Sequence, residues 1–340
     1  MIDLLVVGGG PVGLVSAIHA AEAGLDVSVI EPRVGSVDKA CGEGLMPGAL
    51  AHLARIGVDP KGADFFGIRY ISGDRSAEAR FSRNPGRGVR RTVLHDSLTQ
   101  RARELGVNFI EGRVEDVNQD TNFIEAGGIR ARYLIGADGL HSVVRNQLGL
   151  EIGRTKSELP RFGIRQHFAV KPWSDCVEVY WLPNAEVYVT PVDHETVGVA
   201  ILGSDKMHFE EIISRIPKLT QQLSAVESAS KLRGAGPLRQ RVRARSAGRA
   251  LLVGDASGYV DALTGEGLQV GFAEAQAAVR AVVNNDLKSY EAQWRKVTRS
   301  YRLLAGGLLW AASNRVIRSA IVPSAQAVPP VFRLLVNTLS

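Results

Sequence analysis

Apart from Asp3, the residues from Ile2 to Val7 are apolar, as in a strand covered on both faces. From 12 to 23 the spacing turns helical, Gly24 stops the helix, and "DVSVIE" supplies a second strand ending at Glu31. Residues 92–106 read as an amphipathic helix with Leu94, Leu98, Ala102 and Leu105 on one side, followed by strand-like "VNFIEG" and "ARYLIGADG". The latter runs into "GADGLHSVVR", Gly136 to Arg145, a turn that opens another helix. From about residue 160 the period falls to two in "FGIRQHFAV", "CVEVYWLP", "EVYVTPV" and "TVGVAIL", which predicts a second, largely antiparallel sheet. Helical "HFEEIISRI" follows, then a buried strand at 250–253, a glycine-rich loop and a long helix from about 265. The remainder reads as helical, broken at "VPPVF". The pattern is that of an α/β protein in which 1–72, 88–158 and 246–285 build one domain. Segments 73–87 and 159–245 form an inserted β-sheet domain, and 286–340 a helical tail.

The first turn carries chemistry. Gly8, Gly10 and Gly13 spell G-x-G-x-x-G between strand and helix. The first glycine permits a tight turn, the second admits a pyrophosphate to the backbone, and the third lets helix and strand pack closely. The helix N-terminus turns its positive end to the phosphates. Glu31, 18 residues after Gly13, stands where a ribose hydroxyl would donate to it. Strand, glycines, helix, strand and acid in that order predict a dinucleotide site.

Composition narrows the class. A chain of 340 residues, 45% hydrophobic, can bury a large core. The net charge of +6 gathers in arginines at 80–91 and 233–249. Those arginines either form solvated faces or attract an anionic cofactor or substrate such as a nicotinamide phosphate. Phe81 apart, no aromatics interleave with them, which argues against nucleic acid. Two cysteines, Cys41 and Cys176, make neither a disulfide framework nor a zinc cluster and suit a reducing cytoplasm. "MIDLLVVGGG" lacks a basic leader, and "LLAGGLLWAA" is too short to span a bilayer. A soluble cytoplasmic enzyme without metal is expected, and nothing in the pattern sets an oligomeric state.

The fingerprint, "GADGLHSVVR" and "LLVGDASGYVDALTGEGL" stand in an order and spacing that resembles the FAD-dependent oxidoreductases of the geranylgeranyl reductase and aromatic hydroxylase superfamily. The likeness covers essentially the whole chain. It implies a Rossmann-like FAD-binding domain of glutathione reductase type, an inserted antiparallel β-sheet substrate domain and C-terminal helices. By the same resemblance Gly8, Gly10, Pro11, Val12, Gly13, Glu31, Pro32 and Arg33 hold the adenosine diphosphate half, with Val114 among the cofactor contacts. Lys39, Cys41, Gly42 and Arg91 lie on the flavin side. Asp138 and Gly139 sit in a supporting turn, Asp255 meets the ribityl and pyrophosphate region, and Gly265, Gly267 and Leu268 approach the isoalloxazine. A helix starting near Gly265 would aim its dipole at the negative charge of reduced flavin.

"KACGEG" resembles a reductase segment that brings its cysteine beside the flavin, so Cys41 is either a catalytic thiol or a small packing residue. "GEGLMP" is also similar to a flavin halogenase motif, but the lysine and W-x-W-x-I-P segment of those enzymes are missing. Tyr180, Trp181 and Pro183 resemble the reductases' aromatic segment without its lysine, which weighs against a long isoprenoid tunnel. The resemblance implies an FAD enzyme reduced by NADH or NADPH and acting on a hydrophobic small molecule. Two chemistries stay open: carbon–carbon double-bond reduction, or hydroxylation of an aromatic or polyketide-type ring. A flavin-binding scaffold without turnover is the non-enzymatic alternative. His167, Tyr180, Trp181, Tyr188 and Thr190 alternate along strands and are candidates to line the substrate from one face. Leu304, Leu308 and Ala311 form a stripe near Arg315 and Arg318, suited either to the protein's own core or to peripheral membrane contact.

Overall fold

A computed structural model describes residues 1–153, 160–204 and 208–338. The expected boundary at 158/159 lies outside the described residues, as do the last two positions of the helical tail.

Strands Ile2–Val7, Val27–Glu31, Asn108–Glu111, Ile129–Gly136 and Ala250–Leu252 pair in parallel at the heart of the first sheet. Ile2–Val7 lies central, between Val27–Glu31 and Ile129–Gly136. Its apolar run from Leu4 to Val7 is explained by cores on both faces: Leu4 and Val6 meet the helices Pro11–Glu22, Arg91–Glu104 and Gly267–Val283, while Leu5 and Val7 pack against Ile30, Ile124 and Leu134. Both expected helix ends hold, with Pro11 at the first position of its helix and Gly24 at φ +81° just past its end.

The second sheet has seven strands in the order Arg233–Ala235, Phe162–Phe168, Val197–Gly203, Ala185–Pro191, Val177–Trp181, Gly67–Ser72, Arg75–Arg80. All pair antiparallel except Gly67–Ser72 with Val177–Trp181. Gly67–Ser72, expected with the first sheet, thus belongs to the second, because its parallel partner lies more than a hundred residues downstream. A three-stranded ribbon, Gly44–Leu45, Gly86–Gly88 and Ala63–Phe65, bridges the two sheets. Its contact with the second sheet is backbone on backbone: a Cβ on Gly88 would lie 1.7 Å from the Pro191 carbonyl.

Helices Tyr290–Ser313, Arg315–Ala327 and Pro329–Thr338 close one face of the second sheet, with Ala312, Val322, Phe332 and Val336 packed against Ala77, Val179 and Trp181. Arg318 locks this tail in place. It donates to the carbonyls of Leu182 (2.6 Å) and Ala185 (2.7 Å) and pairs with Glu186 (2.6 Å). Glu186 is fully buried and also takes Arg161 (2.7 Å), which reaches Asp261 (2.9 Å) in the glycine-rich loop. One buried charge chain therefore joins tail, second sheet and the loop before Gly267–Val283.

Candidate flavin site

The three fingerprint glycines occupy three different environments. Gly8 stands at φ +104°, and a Cβ there would press on the Ala137 carbonyl at 2.6 Å. One on Gly13 would lie 1.9 Å from the Gly8 carbonyl oxygen, so that glycine lets the helix touch the strand. One on Gly10 would meet no protein atom within 4 Å, which leaves the open approach to the helix N-terminus that a pyrophosphate requires. Val12 packs instead against Gly254 and Gly271, drawing the first and last segments of this domain together. His95, which the sequence reading missed, pins the loop by donating Nε2–H to the Gly9 carbonyl (3.0 Å).

Glu31 accepts from the Gly9 amide (2.8 Å) and from the Arg33 guanidinium (2.6 and 3.0 Å). Burial works to raise this carboxyl, but Arg33 and the two amides outweigh it and hold it below its ordinary value. Arg33 is exposed, so the pair offers an acceptor for a ribose and a cation that can swing over an adenosine. Pro32 is also exposed beside it, whereas the Val114 side chain lies in the core with Leu5, Val7 and Ile30. With that side chain in the core, Val114 has its main chain to offer a ligand.

On the other side of the glycines, cations gather with few partners. Arg91 is 8% exposed, yet its guanidinium has neither hydrogen bond nor ion pair among the described residues, and its Nε is orphaned. Lys39 stands over Gly139, 3.2 Å from where a Cβ would be. Burial lowers the Lys39 ammonium and Arg33 and Arg91 add to this, while Asp255 and Glu31 oppose. A buried, unpaired guanidinium is costly unless an anion meets it. These residues fit the diphosphate of an FAD, with Gly42 and Gly265, both free of Cβ contacts, open beside them.

Two turns complete the cradle. Asp138 accepts from Ser142 Oγ (2.5 Å) and the Val144 amide (3.1 Å), and Ser142 in turn caps its helix through the Arg145 amide (2.9 Å). Arg145, fully buried, donates to Leu140 (2.7 Å) and Ala256 (3.4 Å) carbonyls and so ties this turn to the one bearing Asp255. Burial raises the Asp255 carboxyl against Lys39, Arg91 and Arg145. Glu274, also missed, reaches back from its helix to the Gly254 amide (2.7 Å) and Ser257 Oγ (2.9 Å), and burial pushes it up to about 8. Gly267 opens that helix, with half-buried Leu268 after it.

Cys41 is half-buried and Cys176 fully buried, and neither belongs to the four hydrophobic clusters found among the described residues. Its Sγ accepts from the Glu43 amide (3.4 Å). Burial raises the thiol and Glu43 adds to this, while Arg91 and Arg165 pull it down. The five residues expected to line a substrate do not share a face. Trp181, Tyr188, Thr190 and His167 point toward the ribbon and tail, but Tyr180 points the other way, into the core with Val187 and Phe209. Adjacent strand residues cannot share a face. Tyr180 donates to buried Glu178 (2.8 Å), and His167 is enclosed by Glu43, Arg165 and Ser230. A separate open groove of about 1020 Å³, lined by Lys61, Lys171, Trp173, Asp175, Asp193 and His194 among others, includes none of the cradle residues. No cluster of three metal-ligating side chains occurs among the described residues.

Residues 1–285 match the FAD binding domain family. The chain is 27% identical to a menaquinone reductase of Mycolicibacterium smegmatis, over 86% of this chain and 79% of that one. It is 28% identical to digeranylgeranylglycerophospholipid reductase 2 of Methanopyrus kandleri, over 93% and 89%. Among solved structures, a geranylgeranyl bacteriochlorophyll reductase-like protein of Thermoplasma acidophilum shares the fold at TM-score 0.79 and 21% identity, over 95% of this chain and 90% of that one. CmlS, a flavin-dependent halogenase, shares it at TM-score 0.81 and 19% identity, over 92% of this chain and 64% of that one.

The glycine geometry separates binding from folding. Gly10→Val should abolish FAD retention while leaving the urea midpoint of the apoprotein nearly unchanged. Gly13→Ala should cost the apoprotein about 1–3 kcal/mol of stability, because its Cβ meets backbone. Equal behaviour of the two variants would refute the assignment.

Glu274 gives a pH signature. Its folded carboxyl at about 8 lies above the ordinary 4.5, so the neutral acid is favoured in the fold. The stability it contributes is full below about pH 4.5 and is lost as pH rises to about 8. Urea midpoints should fall across this window, less steeply in Glu274→Gln; an unchanged slope counts against a buried neutral acid.

Proposed function

The chain belongs to the FAD binding domain family and is an FAD-dependent oxidoreductase; from that premise we propose that it reduces carbon–carbon double bonds of an isoprenoid lipid or quinone. The observation that carries this reading is Cys41, a half-buried thiol on the loop between Lys39 and Glu43, where burial favours the protonated form against the pull of Arg91. The names of the two curated relatives support the same chemistry. NADH or NADPH is the electron donor in this reading, and the cytoplasm, where both are available, is the compartment.

Bound FAD would supply hydride at its ring. The protein's own share is binding, orientation and a proton. Arg91 and Lys39 would meet the diphosphate, and the amides opening Gly267–Val283 would face the ring with the positive end of their helix. Cys41 Sγ–H would give its proton to the carbon that does not receive hydride, and the resulting thiolate would recover a proton from solvent before the next turnover. Trp181, Tyr188 and Thr190, on the ribbon-facing side of the second sheet, are the remaining candidates for the substrate's surroundings.

An apolar substrate of this kind resides in membrane, and the tail supports docking there. After Glu291 the sequence contains no Asp or Glu, while Arg295, Lys296, Arg299, Arg302, Arg315, Arg318 and Arg333 follow. Leu304 and Leu308 pack inward and Arg318 is buried, so this stripe takes the first of its two readings, the protein's own core. The residues turned outward are others: Leu303, Trp310 (66% exposed), Val316, Val331, Leu334 (67%) and Leu335. Leu303 and Trp310 are seven apart on one helix face, and Val331, Leu334 and Leu335 recur at helical spacing beyond the bend of 103°. No single helix among the described residues is long and apolar enough to cross a membrane. The tail would lie on an anionic lipid surface, where each cation near the headgroups adds about 1 kcal/mol.

Two experiments test this reading. Protein reduced anaerobically by NADH or NADPH is mixed with menaquinone or a geranylgeranyl lipid, and product is followed by mass spectrometry. A gain of two hydrogens is expected, with Cys41→Ala keeping FAD but turning over about 10²-fold more slowly. Incorporation of oxygen into the product on aeration, or full turnover by Cys41→Ala, would overturn it. In flotation, the protein should rise with vesicles containing anionic lipid, and Trp310→Ser with Leu334→Ser should weaken this. Failure to co-migrate removes the membrane from the proposal.

A further inference from the structure

Two residues after Cys41 stands a side chain that the flavin signature does not explain. Glu43 adopts φ +60°, a left-handed conformation that strains any residue with a Cβ, between two glycines that would take it freely. Its carboxylate is 3% exposed and fully engaged. Oε1 accepts the Arg91 amide at 2.9 Å, and Oε2 lies 2.5 Å from His167 Nε2 on the second sheet. Opposite His167 the sheet carries Gly198, where a Cβ would come to 3.3 Å from Oε2, so the missing side chain makes room for the carboxylate.

The partners of His167 decide its protonation. Its Nδ1 faces Arg165 Nη1 at 3.1 Å and Ser230 Oγ at 2.8 Å. A guanidinium only donates, so Nδ1 accepts from Arg165, which places a ring proton on Nε2, and His167 donates it to the Glu43 carboxyl oxygen. Arg165, itself fully buried, extends its other nitrogen to Asp38 and to the Lys39 carbonyl (3.0 Å). Arg233 adds a weaker hold on Asp38 (3.4 Å). The loop is thus gripped at 38–39 and at 43, and Cys41 lies between the two grips.

We propose that Arg165 and His167 form a clamp through which the second sheet fixes residues 38–43, and that Glu43 is the positioning residue that sets the placement and reactivity of Cys41. The catalytic meaning of this clamp rests on the reductase reading above, while its existence does not. The charged groups that face the thiol are Arg91 and Arg165, which favour thiolate, and Glu43, which with burial favours thiol. Burial is the largest influence that keeps Cys41 as an acid, and the Glu43 carboxylate adds to it against the two guanidinia.

The test reads Cys41 directly. Holoprotein is treated with iodoacetamide across pH 6–10, and labelling of the Cys41 peptide is followed by mass spectrometry. Glu43→Gln should move the labelling midpoint about one unit toward acid, because the charge opposing Arg91 and Arg165 is gone. His167→Leu should release the loop and raise the labelling rate at fixed pH several-fold, whereas His167→Gln, which keeps an Nε2–H donor, should return it close to the wild type. Where His167→Leu does not fold, Asp38→Asn loosens the other grip from its partly exposed end and should give a smaller rise. Wild-type midpoint and rates in Glu43→Gln and in the loosened variants, or no rescue by His167→Gln, would overturn the clamp. Loss of double-bond reduction with these labelling shifts intact would instead refute only the reductase reading.

Discussion

Everything in the first domain depends on how closely a helix can lie against a strand. With no Cβ at Gly13, Pro11–Glu22 comes down onto the Gly8 carbonyl, and the amides of its first turn then point across the sheet edge rather than past it. Gly8 lets the neighbouring turn at Ala137 approach from the other side, and Val12 lets the returning segment do so at Gly254 and Gly271. A cradle of backbone donors results, assembled from three stretches of sequence more than a hundred residues apart. An anion fits such a cradle because the donors are already oriented when it arrives.

Charge is distributed around this cradle in a way that only burial explains. Asp138, Asp255, Glu266 and Glu274 are all raised by burial, whereas Glu31, paired with Arg33, is held below its ordinary value. Arg91 stays in the same region without a carboxylate partner among the described residues. Where acids are pushed toward the neutral form and a guanidinium cannot give up its proton, the site keeps positive character for a diphosphate. The +6 of the whole chain is a poorer guide, since many of its arginines are spent on ion pairs such as Arg80–Asp175 and Arg87–Asp64.

The second sheet is less a separate module than a wall of the first. It meets the 38–44 loop through Arg165 and His167, the ribbon through the Pro191–Gly88 backbone contact, and the glycine-rich loop through Arg161 and Asp261. The tail then seals the sheet through Arg318 and Phe332. Residues that never approach the cradle consequently decide how its loops are held. That is why a buried glutamate at a strained φ can matter to a thiol two positions away.

The features legible in the sequence were those whose physics is local. The glycine spacing, the acid ending the second strand, the Asp255 turn and most strands and helices follow from periodicity and from what a missing Cβ permits within a few residues. Strand parity was also available: Tyr180 and Trp181 are neighbours, and a period of two already separates them. The rest was decided in three dimensions. Nothing near Glu43 announces His167, 124 residues away, and nothing near Gly254 announces Glu274. Gly67–Ser72 joined the second sheet because its pairing partner is remote, and Leu303 and Trp310 rather than Leu304 and Leu308 face outward because of where the tail docks. A side chain's role at such places is set by which distant partner satisfies its charge or covers its apolar surface, and that partner exists only once the chain has folded.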